Sequence, residues 1–308
     1  MFSIYQKTLE HKISFNGVGL HSGKKSNVKL IPAYDNQGII FKRVDLENNN
    51  LIEAKFNNVS SATLCTTLKN NHGVQVSTVE HLLAALYIKG IDNLTIEIDS
   101  EEMPILDGSS KEFINLIESA NTKNLNTKKK YIKILEKIEF EDKGRMISIE
   151  PSENFEVDFQ LSYENNIIGL QRNKVNFFKD NLEKVTQSRT FCLFDDIEKI
   201  KKMGFAKGGS LDNAIVVENN KILNQGGLRN EKEFVNHKIL DLVGDFSLLG
   251  FGILGKVTCD RGGHELSNLF LHELMNKNKN KFEILTVQNI KSKALSHRSY
   301  TSGLAVNA

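Results

Sequence analysis

His237, Asp241 and Asp245 recur at one-turn intervals in a segment that reads as helix from Glu231 to Leu248. At 100° per residue they share one narrow stripe, while Val235, Ile239, Leu242, Val243 and Phe246 take the opposite face. A histidine and a carboxylate one turn apart can both reach a single metal ion. The same spacing also suits a solvated polar stripe with a local His–Asp hydrogen bond. A second segment, Ser77–Lys89, places Val79, Leu82, Leu83 and Leu86 on an apolar stripe and turns His81 away from it, beside Ala84 and Ala85. Small neighbours leave room for another element to approach the imidazole, although a satisfied surface histidine fits the pattern too. His81 would complete a set of three ligands, and three ligands with one open position describe a catalytic rather than a structural zinc site. Glu80, beside it, is either an acid–base group or the reciprocal partner of Ser77 in a capping box.

Two further clusters hold polar groups. Asp260-Arg261-Gly262-Gly263-His264 ends a strand and precedes a helix, which puts His264 on a loop, near a helix start and free to face a cleft. Ser188-Arg189-Thr190-Phe191 and Lys207-Gly208-Gly209-Ser210 flank a short helical stretch at Leu193–Met203. The second glycine pair is a backbone nest for an anion or simply a turn.

The elements carrying these residues recur in order. Period-two alternation marks strands at Val28–Leu30, Ile39–Phe41 and Leu94–Ile98, and again at Ile132–Ile134, Ile147–Ile149, Val157–Leu161 and Ile253–Cys259. Each half has strands, a long helix, a glycine-started strand, a loop and a second helix; the second helices are Ser109–Ala120, opened by Ser109-x-x-Glu112, and about Glu265–Met275. The segment between the halves is polar and basic and reads as a linker at 123–130, dividing the chain into domains at 1–122 and 131–308. Strands followed by packed helices imply an α+β layer in each half.

Composition sets the outer limits. Forty Lys+Arg against 38 Asp+Glu leave a net charge of +2, so no polycationic surface for nucleic acid is expected. No apolar run approaches the roughly 20 residues of a membrane span, and the first residues do not read as a secretory signal. Three scattered cysteines make neither a disulfide framework nor an all-cysteine metal site. The expectation is a reduced, cytoplasmic protein without stable membrane insertion.

Six blocks in register carry a family resemblance: Gly17-Val18-Gly19-Leu20-His21-Ser22-Gly23, Ser77-Thr78-Val79-Glu80-His81-Leu82, Met103-Pro104-Ile105-Leu106-Asp107-Gly108-Ser109, Ser188-Arg189-Thr190-Phe191, Lys207-Gly208-Gly209-Ser210 and Phe234-Val235-x-His237-Lys238-x-Leu240-Asp241. Together they resemble the UDP-3-O-acyl-N-acetylglucosamine deacetylases, zinc enzymes of lipid A synthesis, over about residues 5–275. The resemblance implies two similar domains, each a sheet layered against a pair of helices, with the helix layers facing each other. It implies His81, His237 and Asp241 as ligands of one Zn2+ ion, with Fe2+ as the alternative. Glu80 would be the general base, His264 the general acid, Asp245 its paired carboxylate, and Thr190 a hydroxyl that helps hold the oxyanion. A passage for the acyl chain would be formed by an insert at about 191–216, with Phe194, Ile197 and Leu211 in its wall. Phe191, Lys207, Lys238 and Arg261 would contact substrate. Gly262, where relatives more often carry Ser, and Ser267, where they carry Asn, depart from the pattern and touch only substrate contacts.

The implied reaction is hydrolysis of the 2-acetamido group of a UDP-linked acylated glucosamine, with a monomer favoured. The rival from another class is an inactive two-domain binding protein for acylated sugar nucleotides, which would have lost part of the ligand or proton-transfer set. A fused dehydratase domain would need about 150 further residues, and only about 30 follow the last expected helix.

Overall fold

A computed structural model describes residues 3–286. The fold is α+β, and its two halves repeat one topology. In the first, the strands run in the order Ile13–Val18, Lys25–Pro32, Leu94–Ile98, Ile39–Arg43 and Leu51–Glu53. The central strand, Leu94–Ile98, is antiparallel to Lys25–Pro32 and parallel to Ile39–Arg43. In the second, Gly252–Asp260 takes the central place, antiparallel to Arg145–Glu150 and parallel to Phe155–Ser162. Ile138–Asp142 and Leu170–Asn176 extend that sheet on its two sides. Lys130–Ile134 and Phe282–Thr286 add a further edge through Tyr131–Lys133, which run parallel to Gly252–Leu254.

Each central strand is bracketed by two helices: α1 (Glu80–Lys89) and α2 (Lys111–Ser119) in the first half, and further on two that correspond to them. Two short helices intervene, α3 (Glu183–Thr186) and α4 (Phe194–Lys202), before α5 (Glu233–Ser247) and α6 (His264–His272). Both halves also carry an insert ahead of the long helix. One is a small sheet of Val59–Ser61, Thr67–Lys69 and Gln75–Val76; the other is a sheet of Phe191–Leu193, Ile215–Glu218 and Lys221–Ile222 together with α4.

The layers meet where α1 crosses α5. Every residue of α1 from Glu80 to Leu86 is buried, as is every residue of α5 from Glu233 to Phe246 except Lys238. The amphipathic stripes read from sequence are therefore two buried faces, one toward a sheet and one toward the opposing helix. The crossing is close enough that a Cβ built on Gly244 would stand 2.2 Å from the carbonyl oxygen of Glu80.

Several expectations are corrected. Residues 123–130 are not a loose linker: Thr122–Lys128 is a strand antiparallel to Tyr5–Leu9, and Lys130 already opens the next strand. Its side chains are mostly exposed and polar, so main-chain bonds hold it and no apolar period announces it. We keep the division at 1–122 and 131–308 as a proposal, whose residues beyond 286 lie outside the described ones. Neither capping box forms. The Ser77 hydroxyl donates to the Glu101 carbonyl, and the Ser109 hydroxyl donates to Asp107. At Ser77 a distant carbonyl outcompetes the helix end, and at Ser109 a carboxylate two residues back does so.

Gly244→Ala should push α1 and α5 apart and cost about 1–3 kcal/mol, the usual penalty of overpacking. Urea denaturation checks this, and a variant within about 0.5 kcal/mol of the parent would show that the crossing tolerates a methyl.

Candidate metal centre and its flanking groups

Three buried donors converge at the crossing. His81 Nε2 lies 3.5 Å from Asp241 Oδ1, and His237 Nε2 lies 3.3 Å from the same oxygen. One donor atom from each residue falls within 4.8 Å of the others. The two imidazoles meet edge to face with centroids 5.0 Å apart.

The donor chemistry fits a divalent cation. Asp241 Oδ1 is buried and accepts no hydrogen bond, an arrangement costly for a carboxylate without a cation to meet it. The other oxygen, Oδ2, accepts from Lys238 Nζ at 2.9 Å. Burial alone would raise the Asp241 carboxyl, but His237 and the Lys238 ammonium hold it well below the usual carboxylate range. Burial pushes His237 down to about 3, so its ring is neutral near pH 7. Its Nδ1 lies 3.1 Å from the Ser188 carbonyl, which fixes the tautomer and leaves the Nε2 lone pair for a ligand. The Ser188 carbonyl is itself held in place. Glu233, fully buried in the first turn of α5, accepts from Arg189 Nε at 2.8 Å and from the Arg189 backbone N–H at 3.1 Å.

Further buried titratable groups stand beside the donors. The nearly buried Glu80 opens α1; its Oε2 accepts the backbone N–H of Thr66 at 3.1 Å, and its Oε1 lies 3.8 Å from His264 Nε2. Burial raises the Glu80 carboxyl, partly offset by His264 and His81. His264 is not on a loop but is the first residue of α6, and it is buried. Its Nδ1 contacts Asp245 Oδ2 at 2.9 Å, which aims Nε2 toward Glu80 and toward Asp241 Oδ2, 3.9 Å away. Burial would depress this imidazole, yet Asp245, with Glu80 and Asp241 behind it, pushes it up to about 10.

The remaining expected residues spread outward. Phe191 lies beside the cluster, its ring 6.2 Å from that of His237 and 5.5 Å from Lys238 Nζ. Thr190 is stitched by its backbone between Gly108 and Ile215 at 2.8 Å on each side. Phe194 and Leu211 are nearly half exposed, Ile197 is partly buried, and no residue of α4 is fully buried. Lys207 is exposed, and Arg261 is turned to Asp260 and the Gly144 carbonyl on the rim. Lys207 and Arg261 are not drawn into the cluster. The Gly208–Gly209 pair is a turn rather than an anion nest, because its N–H groups are spent on the Leu20 and Ala206 carbonyls.

Residues without a role in the sequence reading also surround the site. Glu102 accepts from the backbone N–H groups of His21 and Ser22 and from the Thr78 hydroxyl, at 2.7–3.0 Å. It thereby holds Thr78, whose φ of 57° is unusual for a branched residue, two positions ahead of Glu80. His21 enters the neighbourhood with a buried Nε2 that has no partner. Only tertiary contact reveals these roles.

Comparison with known proteins agrees with this geometry. A family model described as "LpxC: UDP-3-O-acyl N-acetylglycosamine deacetylase" matches residues 6–276. The chain belongs to this family. Among its relatives, the UDP-3-O-acyl-N-acetylglucosamine deacetylase of Legionella pneumophila (strain Corby) is 44% identical over 88% of this chain and 90% of its own. That of Saccharophagus degradans is 43% identical over 92% and 94%, and that of Pseudoalteromonas translucida 41% over 88% and 91%. The matched span covers α1, α5 and α6, so every donor described above lies within it.

Elemental analysis should find one divalent ion per chain of purified protein, and Asp241→Ala or His237→Ala should lose it while Asp245→Asn keeps it. Equal metal content in Asp241→Ala and the parent would remove Asp241 from the ligand set.

Proposed function

We propose that this chain is a hydrolase that removes the acetyl group from the 2-acetamido position of UDP-3-O-acyl-N-acetylglucosamine, releasing acetate and the 2-amine, the committed step of lipid A biosynthesis. The observation that carries this reading is the convergence of His81, His237 and Asp241 beside two groups of opposite protonation, Glu80 and His264. The names of the relatives supply the substrate. An inactive binding protein would have no need of a buried donor set bracketed by a base and an acid. His81, His237 and Asp241 would hold the ion, zinc in our reading with iron(II) as the alternative. When bound, such an ion acts as a Lewis acid and lowers the pKa of water toward about 7.

The chain's own residues then divide the proton work. Glu80, with Oε2 held by Thr66, offers Oε1 to take a proton as water attacks the amide carbonyl. The Thr190 hydroxyl donates toward the developing oxyanion, a role in which losing one donor typically costs about 10²–10³ in rate. His264 gives its Nε2 proton to the leaving nitrogen as the C–N bond breaks, and Asp245 holds the imidazolium that supplies it. Lys238 and Phe191 flank the cluster on the side from which substrate would enter; Lys207 and Arg261 would meet the nucleotide at the rim. Phe194, Ile197 and Leu211, apolar and open, would wall the acyl passage. We place the protein in the cytoplasm; among the described residues no helix is long and apolar enough to cross a membrane.

Activity needs Glu80 ionised and His264 protonated. The rate should therefore climb through the raised Glu80 pKa on the acid side and fall as the pH passes about 10, where His264 loses its proton. Asp245→Asn removes the charge that raises His264, so the alkaline limb should move down toward neutrality; an unmoved limb would assign it to another group. Glu80→Gln should cut acetate release by roughly 10²-fold or more with an unchanged denaturation midpoint, and near-parental turnover would sink its role as base.

Shortening the 3-O-acyl chain should lower kcat/KM by up to about fourfold per methylene, the equivalent of about 0.8 kcal/mol each. Equal turnover of acylated and non-acylated substrate would argue against a passage at Phe194, Ile197 and Leu211.

A further inference from the structure

Both carboxylates that serve proton transfer have a working oxygen and a rear oxygen, and one residue holds both rear oxygens. Thr66 lies between the strands Val59–Ser61 and Thr67–Lys69 of the first insert and is 2% exposed. Its hydroxyl donates to Asp245 Oδ1 at 2.6 Å, in the range of a charge-assisted O–H···O bond. Its backbone N–H donates to Glu80 Oε2 at 3.1 Å. That leaves Asp245 Oδ2 as the nearer acceptor for His264 Nδ1, at 2.9 Å against 3.2 Å for Oδ1, and Glu80 Oε1 facing His264 Nε2 at 3.8 Å. The Thr66 hydroxyl also stands 3.3 Å from His264 Nδ1, on the side of the ring away from Glu80.

We propose that Thr66 is a positioning residue that sets the base and the acid's carboxylate partner in one register, its main chain acting on Glu80 and its hydroxyl on Asp245. This rests on the deacetylase reading given above. The insert itself explains how the register is reached. Its chain passes Leu64 in the left-handed region, at φ 64°, and buries Cys65 before delivering Thr66 between α1 and α5. The Val79 N–H reaches back to the Thr66 carbonyl at 3.5 Å, tying the same residue to the approach to Glu80. Glu80 sits on α1, Asp245 on α5 and His264 on α6, so no helix of the site alone fixes all three. Thr66 is where they are referred to one another.

The two halves of the role separate by mutation. Thr66→Val keeps shape and the backbone donor but removes the hydroxyl, leaving Asp245 Oδ1 only its longer contact with His264 Nδ1. We expect kcat for acetate release to fall roughly 10- to 100-fold, the usual weight of a hydrogen bond to a charged group, with KM and metal content unchanged. Thr66→Ser, which restores the hydroxyl, should stay within about threefold of the parent. In an Asp245→Asn background the Thr66→Val penalty should shrink to less than about threefold, because the hydroxyl's charged partner is gone. If Thr66→Val does not fold, Thr66→Ala carries the same comparison against Thr66→Ser. The metal-free protein gives a readout independent of turnover: the His264 Nδ1 proton should be sharp and far downfield in the parent and Thr66→Ser, and lost to exchange in Thr66→Val. A Ser variant as damaged as the Val variant, a penalty that persists in full in Asp245→Asn, or a sharp Nδ1 proton in Thr66→Val would each overturn the proposal. A parent enzyme that releases no acetate would instead overturn the deacetylase reading, whereas an active parent with an equally active Thr66→Val would overturn this inference alone.

Discussion

The structure depends on one close crossing of helices. At Gly244 the backbone of α5 meets the backbone of α1 at Glu80 with no side chain between them. Helices that carry larger residues at a crossing stand about 8–10 Å apart, and here the glycine removes the spacer. That proximity lets His81, at the start of α1, reach the stripe of α5 that carries His237 and Asp241. It also brings Glu80 within reach of His264 and Asp245. Both sheets serve this contact, since each presses its helix pair toward the other half.

Burial turns the crossing into an electrostatic device. Glu80, Asp241 and His264 are buried, so their protonation is set by burial and by their neighbours more than by solvent. Burial dominates at His237 and leaves it neutral, as a metal ligand would need to be; at His264 the facing carboxylates together outweigh burial and favour the protonated ring. Two histidines of one cluster thus take opposite states, decided at His237 by burial and at His264 by the carboxylates that face it. The polar groups that complete the arrangement, the Ser188 carbonyl and the Thr66 donors, come from the segments that carry the two inserts.

Much of this was legible in the sequence, for reasons that also explain what was missed. The stripe of His237, Asp241 and Asp245 was readable because helical spacing converts directly into shared direction. The repeat was readable because both halves spell strands and helices in one order, and their sheets do share a strand order. Other features leave no such trace. Thr66 and Glu102 act through partners far along the chain, 179 positions in the case of Thr66 and Asp245, and neither residue type nor spacing points to that meeting. The strand at Thr122–Lys128 lacked an apolar period because main-chain bonds hold it. The capping boxes misled because Ser77 and Ser109 found partners outside their helices, while Glu80 was claimed by Thr66. Local patterns report local competition, and a buried site is where the distant partner wins.

The pairing of Tyr5–Leu9 with Thr122–Lys128 bears on the order in which the molecule assembles. With that pair the first half has all its strands by residue 128 and needs nothing downstream to complete its strand pairing. The second half closes differently: Lys130–Ile134, its opening strand, pairs with Gly252–Leu254 and with Phe282–Thr286, near the end of the described chain. Contacts of such long sequence separation form slowly, and during synthesis the N-terminal unit has the first opportunity to fold. His81 therefore belongs to a unit whose strand pairing can close before His237 and Asp241 have been made. An ion that needs all three donors could be held only once α5 lies against α1, and a nascent chain arrested before α5 would present an imidazole with nothing to share it.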